Sequence, residues 1–270
     1  MNMDAVPIWA IFAGTTILVV IAIELGYGLG RAVHRRSEDE KESPVSAIAA
    51  AILGLLAFML AFTFGIVAER FDARKGLVRD EANAVRTAYL RSDFLPESDR
   101  GEVANLLARY LDDRLAFTES RDLDQVKKGL IEADRIHRQL WEMAVVNARK
   151  DMNSDVAALY IESLNEVIAF HALRVAVGLQ ARIPAGIWLV LYALVVLGMA
   201  GVGYQTGIAG SRRSWARLIL ALSFSMVIAL IAALDNPLRG HVAVSQQPLA
   251  DLRAAMAADA EARSGRGEKP

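Results

Sequence analysis

Residues 44–68 carry no charged side chain, and no proline occurs from Val45 to Leu95. About 20 apolar residues suffice for a helix to cross the roughly 30 Å hydrocarbon core of a bilayer. In lipid a helix satisfies every backbone N–H and C=O within one segment. From Glu69 onward the same proline-free run is densely charged. Nothing in it breaks a helix, so it predicts one rod that leaves a membrane and continues, still helical, among charges. Any fold for this chain must accommodate that rod.

Three more apolar stretches have the required length, which gives spans at about 8–29, 45–68, 184–209 and 217–234. Glu24 is the one acid in the first, and Arg217 and Asp235 bound the last. Trp9, Tyr27, Trp188, Tyr204 and Trp215 sit near span ends, where interfaces favour such rings. The chain is 54% apolar with a mean hydropathy of +0.30, high for a soluble domain. Residues 1–7 contain no Lys or Arg, so the first stretch is expected to stay as an anchor rather than be cleaved as a signal peptide. A net charge of −1 gives no global pull toward nucleic acid. Cysteine is absent, which excludes disulfides and thiolate metal sites.

The expected fold is all-α: a polytopic membrane protein with four transmembrane helices and a helical extramembrane block between the second and third. The first helix pair falls within 1–68, the block is 69–183, and the second pair falls within 184–234. A C-terminal packing segment, 235–254, and a flexible tail, 255–270, complete the chain. Inside the block, Pro96 with Glu97, Ser98 and Asp99 marks a new helix start. Thr118 to Asp124 marks a weaker break. Asn153, Ser154 and Asp155 can cap a last helix that runs to Arg182. In it Val156, Tyr160, Leu164, Val167, His171 and Val175 form an amphipathic face.

At 100° per residue, Lys75, Arg79 and Arg86 fall within about 40° of one another. Phe71, Val78, Ala82 and Val85 form an apolar strip beside them, which should pack on another helix. Arg70, Arg74 and Glu81 form a third strip, and Glu69, Asp72, Asp80 and Asn83 share the remaining side. The cationic strip reads either as a solvated face or as a vestibule that attracts anions. Higher on the same helix, Phe58, Phe62 and Ile66 recur at i, i+4 and i+8, a narrow apolar ridge suited to lipid, core packing or a pore constriction. Ala47 with Ala51, Ala50 with Gly54, Gly26 with Gly30 and Gly203 with Gly207 are small-xxx-small pairs that let helices approach closely. A charge such as Glu24 costs about 2.5–3.5 kcal/mol at mid-helix, so it either has a function, pairs, or snorkels to the interface.

The four histidines, His34, His137, His171 and His241, are scattered. His171 lies on an apolar helix face and reads most simply as a core residue. There is no HExxH, GxSxG, Walker loop or strand–GxGxxG–helix unit, and no set of side chains suggests an enzyme.

Three stretches, "ELGYGLGRA" (24–32), "GLLAFMLAFTFGIVAERFDARKGLVRDEANAVRTAYLR" (54–91) and "LDNPLRGHVAVSQQPL" (234–249), resemble the bacterial bestrophin-like family of four-span membrane proteins. More remotely, Phe71, Asp72, Ala73 and Arg74 resemble the aromatic–acid–small–arginine order after the second span of bestrophin channels. Pro237 and Gly240 resemble the proline–glycine turn after their last span. Glu24 belongs to the first of the matching stretches. The acidic run that binds calcium in bestrophins is missing here: Gly240 is followed by His241, Val242, Ala243 and Val244. No metal or other cofactor is therefore expected.

The resemblance implies a homo-oligomer, a pentamer in the channel reading. The second span would line a pore for small ions, Phe58, Phe62 and Ile66 its constriction, and Lys75, Arg79 and Arg86 its vestibule. The other reading is a non-conducting membrane scaffold or signalling protein whose block binds a protein partner. In both, the chain sits in the lipid bilayer of a bacterial inner membrane. The block and both termini are placed in the cytoplasm by the resemblance. Arg31, Arg35, Arg36, Lys41, Arg212 and Arg213 crowd the short loops and argue the other way; Arg70, Arg74, Lys75, Arg79 and Arg86 argue with it.

Overall fold

A computed structural model describes residues 6–35, 42–119, 123–210, 215–236 and 243–265. The described residues are helical almost throughout. The helices are α1 (Ile8–His34), α2 (Glu42–Arg91), α3 (Glu97–Glu119), α4 (Leu123–Ala148), α5 (Asp155–Val175), α6 (Ala185–Ile208), α7 (Ala216–Asp235) and α8 (Gln247–Gly265). A 3₁₀ turn, Ser92–Phe94, follows α2, and a π turn, Ala176–Gln180, follows α5. The rod is continuous: α2 is 50 residues long. The Pro96 and Thr118–Asp124 breaks separate α2, α3 and α4 as expected, and Ser154 Oγ caps α5 by accepting from Ala157 N–H. Beyond Ile208, Gly210 takes φ +64°, a left-handed stop that a residue with a Cβ resists.

Among the described residues five helices, not four, are long and apolar enough to cross a membrane: Ile8–His34, Pro44–Phe94, Asp155–Gly178, Ala185–Ile208 and Ala216–Asp235. The additional one contains α5. Its sequence reads as amphipathic because Glu162, Glu166 and Arg174 interrupt it. Yet its Ala, Val, Leu and Ile residues make it apolar enough to qualify, and Tyr160, Leu164 and Val167 are buried in a helical core.

The chain divides into two units. The first comprises Met1–Phe71 with Arg182–Val242, and the second Asp72–Ala181 with Ala243–Pro270. In the first, α1 packs on α6 and α7. Its core holds Val19, Ile23, Leu56, Leu60, Val67, Leu191, Val195, Met199, Ile228 and Ile231. The glycine pairs of α1 and α6 meet each other. A Cβ on Gly26 would lie 2.0 Å from Ala200 O, and one on Gly203 2.0 Å from Ile23 O. Gly30 and Gly207 are equally crowded by Tyr204 O and Tyr27 O. By contrast Ala47, Ala50, Ala51 and Gly54 on α2 are exposed.

In the second unit, α3 packs on α4 and α8, and α4 on α5. Val78, Ala82 and Val85 of α2 enter this core with Leu107, Leu111, Ile136, Leu140 and Leu164, so the expected apolar strip does pack. Leu249, Leu252 and Met256 of α8 join them. Arg253 forks onto Asp112 at 2.8 and 3.1 Å, and Arg263 onto Asp93 at 2.8 and 3.1 Å. The segment expected as a flexible tail from residue 255 is thus helical as far as Gly265. Alanine-rich composition favours the helix, and Met256 and Arg263 give it something to dock with.

Candidate functional site

The ridge and the cationic strip both lie open. Phe58 and Phe62 are 65% and 60% exposed, and their rings stack with centroids 6.5 Å apart. Ile66 is half-buried. Two large aromatic side chains on a free helix face contribute nothing to the core of the first unit, whose α2 face is Leu56, Leu60, Thr63 and Val67. Lower on α2, Lys75, Arg79 and Arg86 are exposed, as are Glu69, Asp72, Asp80 and Asn83. Lys75 pairs with Asp72 at 3.7 Å, an exposed i,i+3 pair of small energetic weight.

The remaining motif residues separate. Phe71 is half-buried against the core of the first unit. Arg74 is buried. Pro237 and Gly240 lie outside the described residues. Glu24 is paired: Arg217 Nη1 donates to its Oε1 at 3.1 Å, and the same guanidinium lies 5.6 Å from the centre of the Tyr27 ring. A carboxylate in an apolar span therefore meets both a countercharge and a π-face.

Across the helix from Lys75, Arg79 and Arg86, α2 carries a buried polar network that the sequence does not announce. Glu81 is fully buried. It accepts from the Tyr110 hydroxyl and from Arg174 Nη1, and Arg114 Nε lies 3.3 Å from its Oε1. Tyr110 OH is also 3.2 Å from His171 Nδ1, and His137 stands edge-on to His171 with centroids 4.9 Å apart. Arg174 Nη2 donates to Gln246 Oε1 at 2.9 Å, which ties the lead-in to α8 to the same carboxylate. Burial, reinforced by the Glu81 charge, raises the Tyr110 phenol well above its ordinary range, so it stays a donor.

The helical angle places Glu81 with Arg70 and Arg74, and its actual partners Tyr110, Arg114 and Arg174 lie far away in sequence. One signal was available. Arg74, Val78, Glu81 and Val85 share the spacing of a single packed face, so a carboxylate there has to be buried and needs a countercharge. His171, read as a core residue, is one, but it belongs to this polar cluster.

Residues 13–249 match a family model described as Bestrophin-like domain. No curated protein matches the chain. A point variant of a bacterial bestrophin homolog from Klebsiella pneumoniae superposes with a TM-score of 0.63 at 14% identity, covering 92% of this chain and 97% of that one. Another crystal structure of a Klebsiella pneumoniae bestrophin homolog gives 0.59 at 16% identity, covering 96% and 98%. A structure described as a membrane protein variant gives 0.61 at 16%, covering 92% and 95%. At these identities the likeness is one of fold.

Proposed function

The chain belongs to the Bestrophin-like family, and from that premise we propose that it is an oligomeric ion channel in a bacterial inner membrane, with α2 lining the pore. The observation that carries this reading is the exposed stack of Phe58 and Phe62. On this reading the open face of α2 turns toward a symmetry axis shared by several copies, five in a pentamer. Rings of Phe58, Phe62 and Ile66 at successive levels then exclude water and hold an ion barrier. Lys75, Arg79 and Arg86 line the wider mouth below and set its potential. Glu81 and its arginines anchor the lower part of α2 within the second unit.

The four spans of this reading are α1, the first half of α2, α6 and α7. We assign α5 to the extramembrane block, because its apolar face is occupied by α4 and by the Glu81 network. Small ions are the only cargo proposed, and neither a cofactor nor catalysis is part of the reading. The block and both termini are placed in the cytoplasm. A reporter enzyme active only in the periplasm, fused after Pro270, is expected to be silent, and strong activity would reverse the orientation. The direct test of function is ion flux through purified protein in liposomes, together with the copy number of the particle. A symmetric ring that conducts supports the channel. A monomer or dimer without flux supports the scaffold.

A further inference from the structure

We propose that His137 and His171 form an acid-triggered release inside the second unit: a proton taken up by this pair loosens α4 and α5 from α2 and α3. The proposal rests on the assignment of α5 to the extramembrane block and not on whether the chain conducts.

The geometry fixes where a proton can go. Tyr110 has one hydroxyl proton, and it is committed to Glu81 Oε1. The hydroxyl oxygen therefore accepts from His171 Nδ1–H at 3.2 Å, which sets the neutral tautomer and leaves Nε2 of His171 as a bare lone pair. His137 is 5% exposed, and its Nε2 is buried with no hydrogen-bond partner among the described residues. A buried ring nitrogen without a partner weakens the closed state. A phenylalanine would fill the same slot between Tyr110 and His171, at ring distances of 5.0 and 4.9 Å, without that cost. What histidine adds is the capacity to take up a proton.

The groups facing the pair come from every packed helix. They are Glu81 of α2, Tyr110 and Arg114 of α3, Asp134 of α4, and Arg174 of α5. Glu81 is already engaged by Tyr110, Arg114 and Arg174 and cannot turn to an imidazolium without breaking those contacts. Asp134 is exposed and screened by water. Two guanidinium groups oppose any new positive charge, and the rings are too close for both to be charged. Burial first, then His171 beside His137 and Arg114 beside His171, depresses both histidines to about 4. An opened unit returns them toward 6.5, so the open form binds protons more readily. The closed state is then fully favoured above about pH 6.5 and loses ground as the pH falls toward 4. Near pH 5 each histidine shifts the balance toward opening by roughly tenfold or more.

Hydrogen exchange of the full chain in detergent, at about pH 7.5 and about pH 5 and corrected for intrinsic chemistry, tests this. Peptides of α4 and α5 are expected to lose roughly tenfold or more of their protection in acid, with α1 as the unresponsive internal reference. His137→Phe and His137→Gln, which cannot titrate, are each expected to remove much of that loss; if one fails to fold, the other decides. An acid response of the same size in the surviving variant would overturn the proposal. So would a wild-type response no larger in α4 and α5 than in α1.

Discussion

A methyl group on Gly26 of α1 would stand 2.0 Å from the carbonyl oxygen of Ala200 on α6. Both atoms belong to backbones, so no side-chain rotation relieves the clash. Gly26→Ala must push the two helices apart and is expected to destabilise by about 1–3 kcal/mol or more. Gly14→Ala on the same helix meets nothing within 4 Å and should be neutral or stabilising by about 0.5–1 kcal/mol. Thermal unfolding in detergent compares the two. Equal stabilities would mean that the α1–α6 contact is looser than described.

The Glu24–Arg217 pair gives a second comparison. Glu24→Gln keeps an acceptor for Arg217, while Glu24→Leu leaves a guanidinium that is 16% exposed without its carboxylate. The expected cost of Leu is about 1–3 kcal/mol. Adding Arg217→Met should recover most of it. If the double variant is no more stable than Glu24→Leu alone, the two residues are not energetically coupled, and Glu24 merely snorkels.

Glu81 is expected to be the most sensitive carboxylate of the second unit. Burial pushes its carboxyl upward, but Arg114, Arg174 and the Tyr110 hydrogen bond more than compensate and hold it below the ordinary range. Its stabilisation is therefore present above the unfolded carboxylate pKa and is lost as the pH falls through the depressed folded value. Glu81→Ala removes the carboxylate shared by buried Arg114 and half-buried Arg174 and should cost about 3–5 kcal/mol. Limited proteolysis of the second unit reads this directly. Resistance equal to wild type would place the anchoring of α2 elsewhere.

Long uncharged runs made most of the architecture legible, because a bilayer leaves so few ways to satisfy a backbone. The α2 rod followed from an absence of breakers, and the Gly26–Gly30 and Gly203–Gly207 pairs were visible as spacing. Their mutual fit was not visible, since spacing names a contact face without naming its partner. The open ridge was legible as periodicity, but that alone could not separate it from a core stripe; exposure of Phe58 and Phe62 does. Glu81 stayed hidden for the same reason as the Arg217 partner of Glu24. Both depend on charges that only the fold brings within reach. Helix α8 runs eleven residues past the expected end of the packing segment at 254, where Asp93 holds Arg263 from elsewhere in the chain.

The central claim is that the open face of α2 bounds an ion path, and one measurement bears on it most directly. Wild type and the Phe62→Ala, Ile66→Ala double variant would be reconstituted into salt-loaded liposomes and their ion release followed with an ion-selective electrode. Residues lining an axial path give up less packing than core residues, so the variant should keep its thermal stability nearly intact. By removing the dewetting barrier it should raise release at least roughly severalfold over wild type. Release at the level of empty liposomes from both proteins, with the variant destabilised by the roughly 2–5 kcal/mol typical of core truncation, would contradict the account. The ridge would then be a packing surface, and the protein a scaffold.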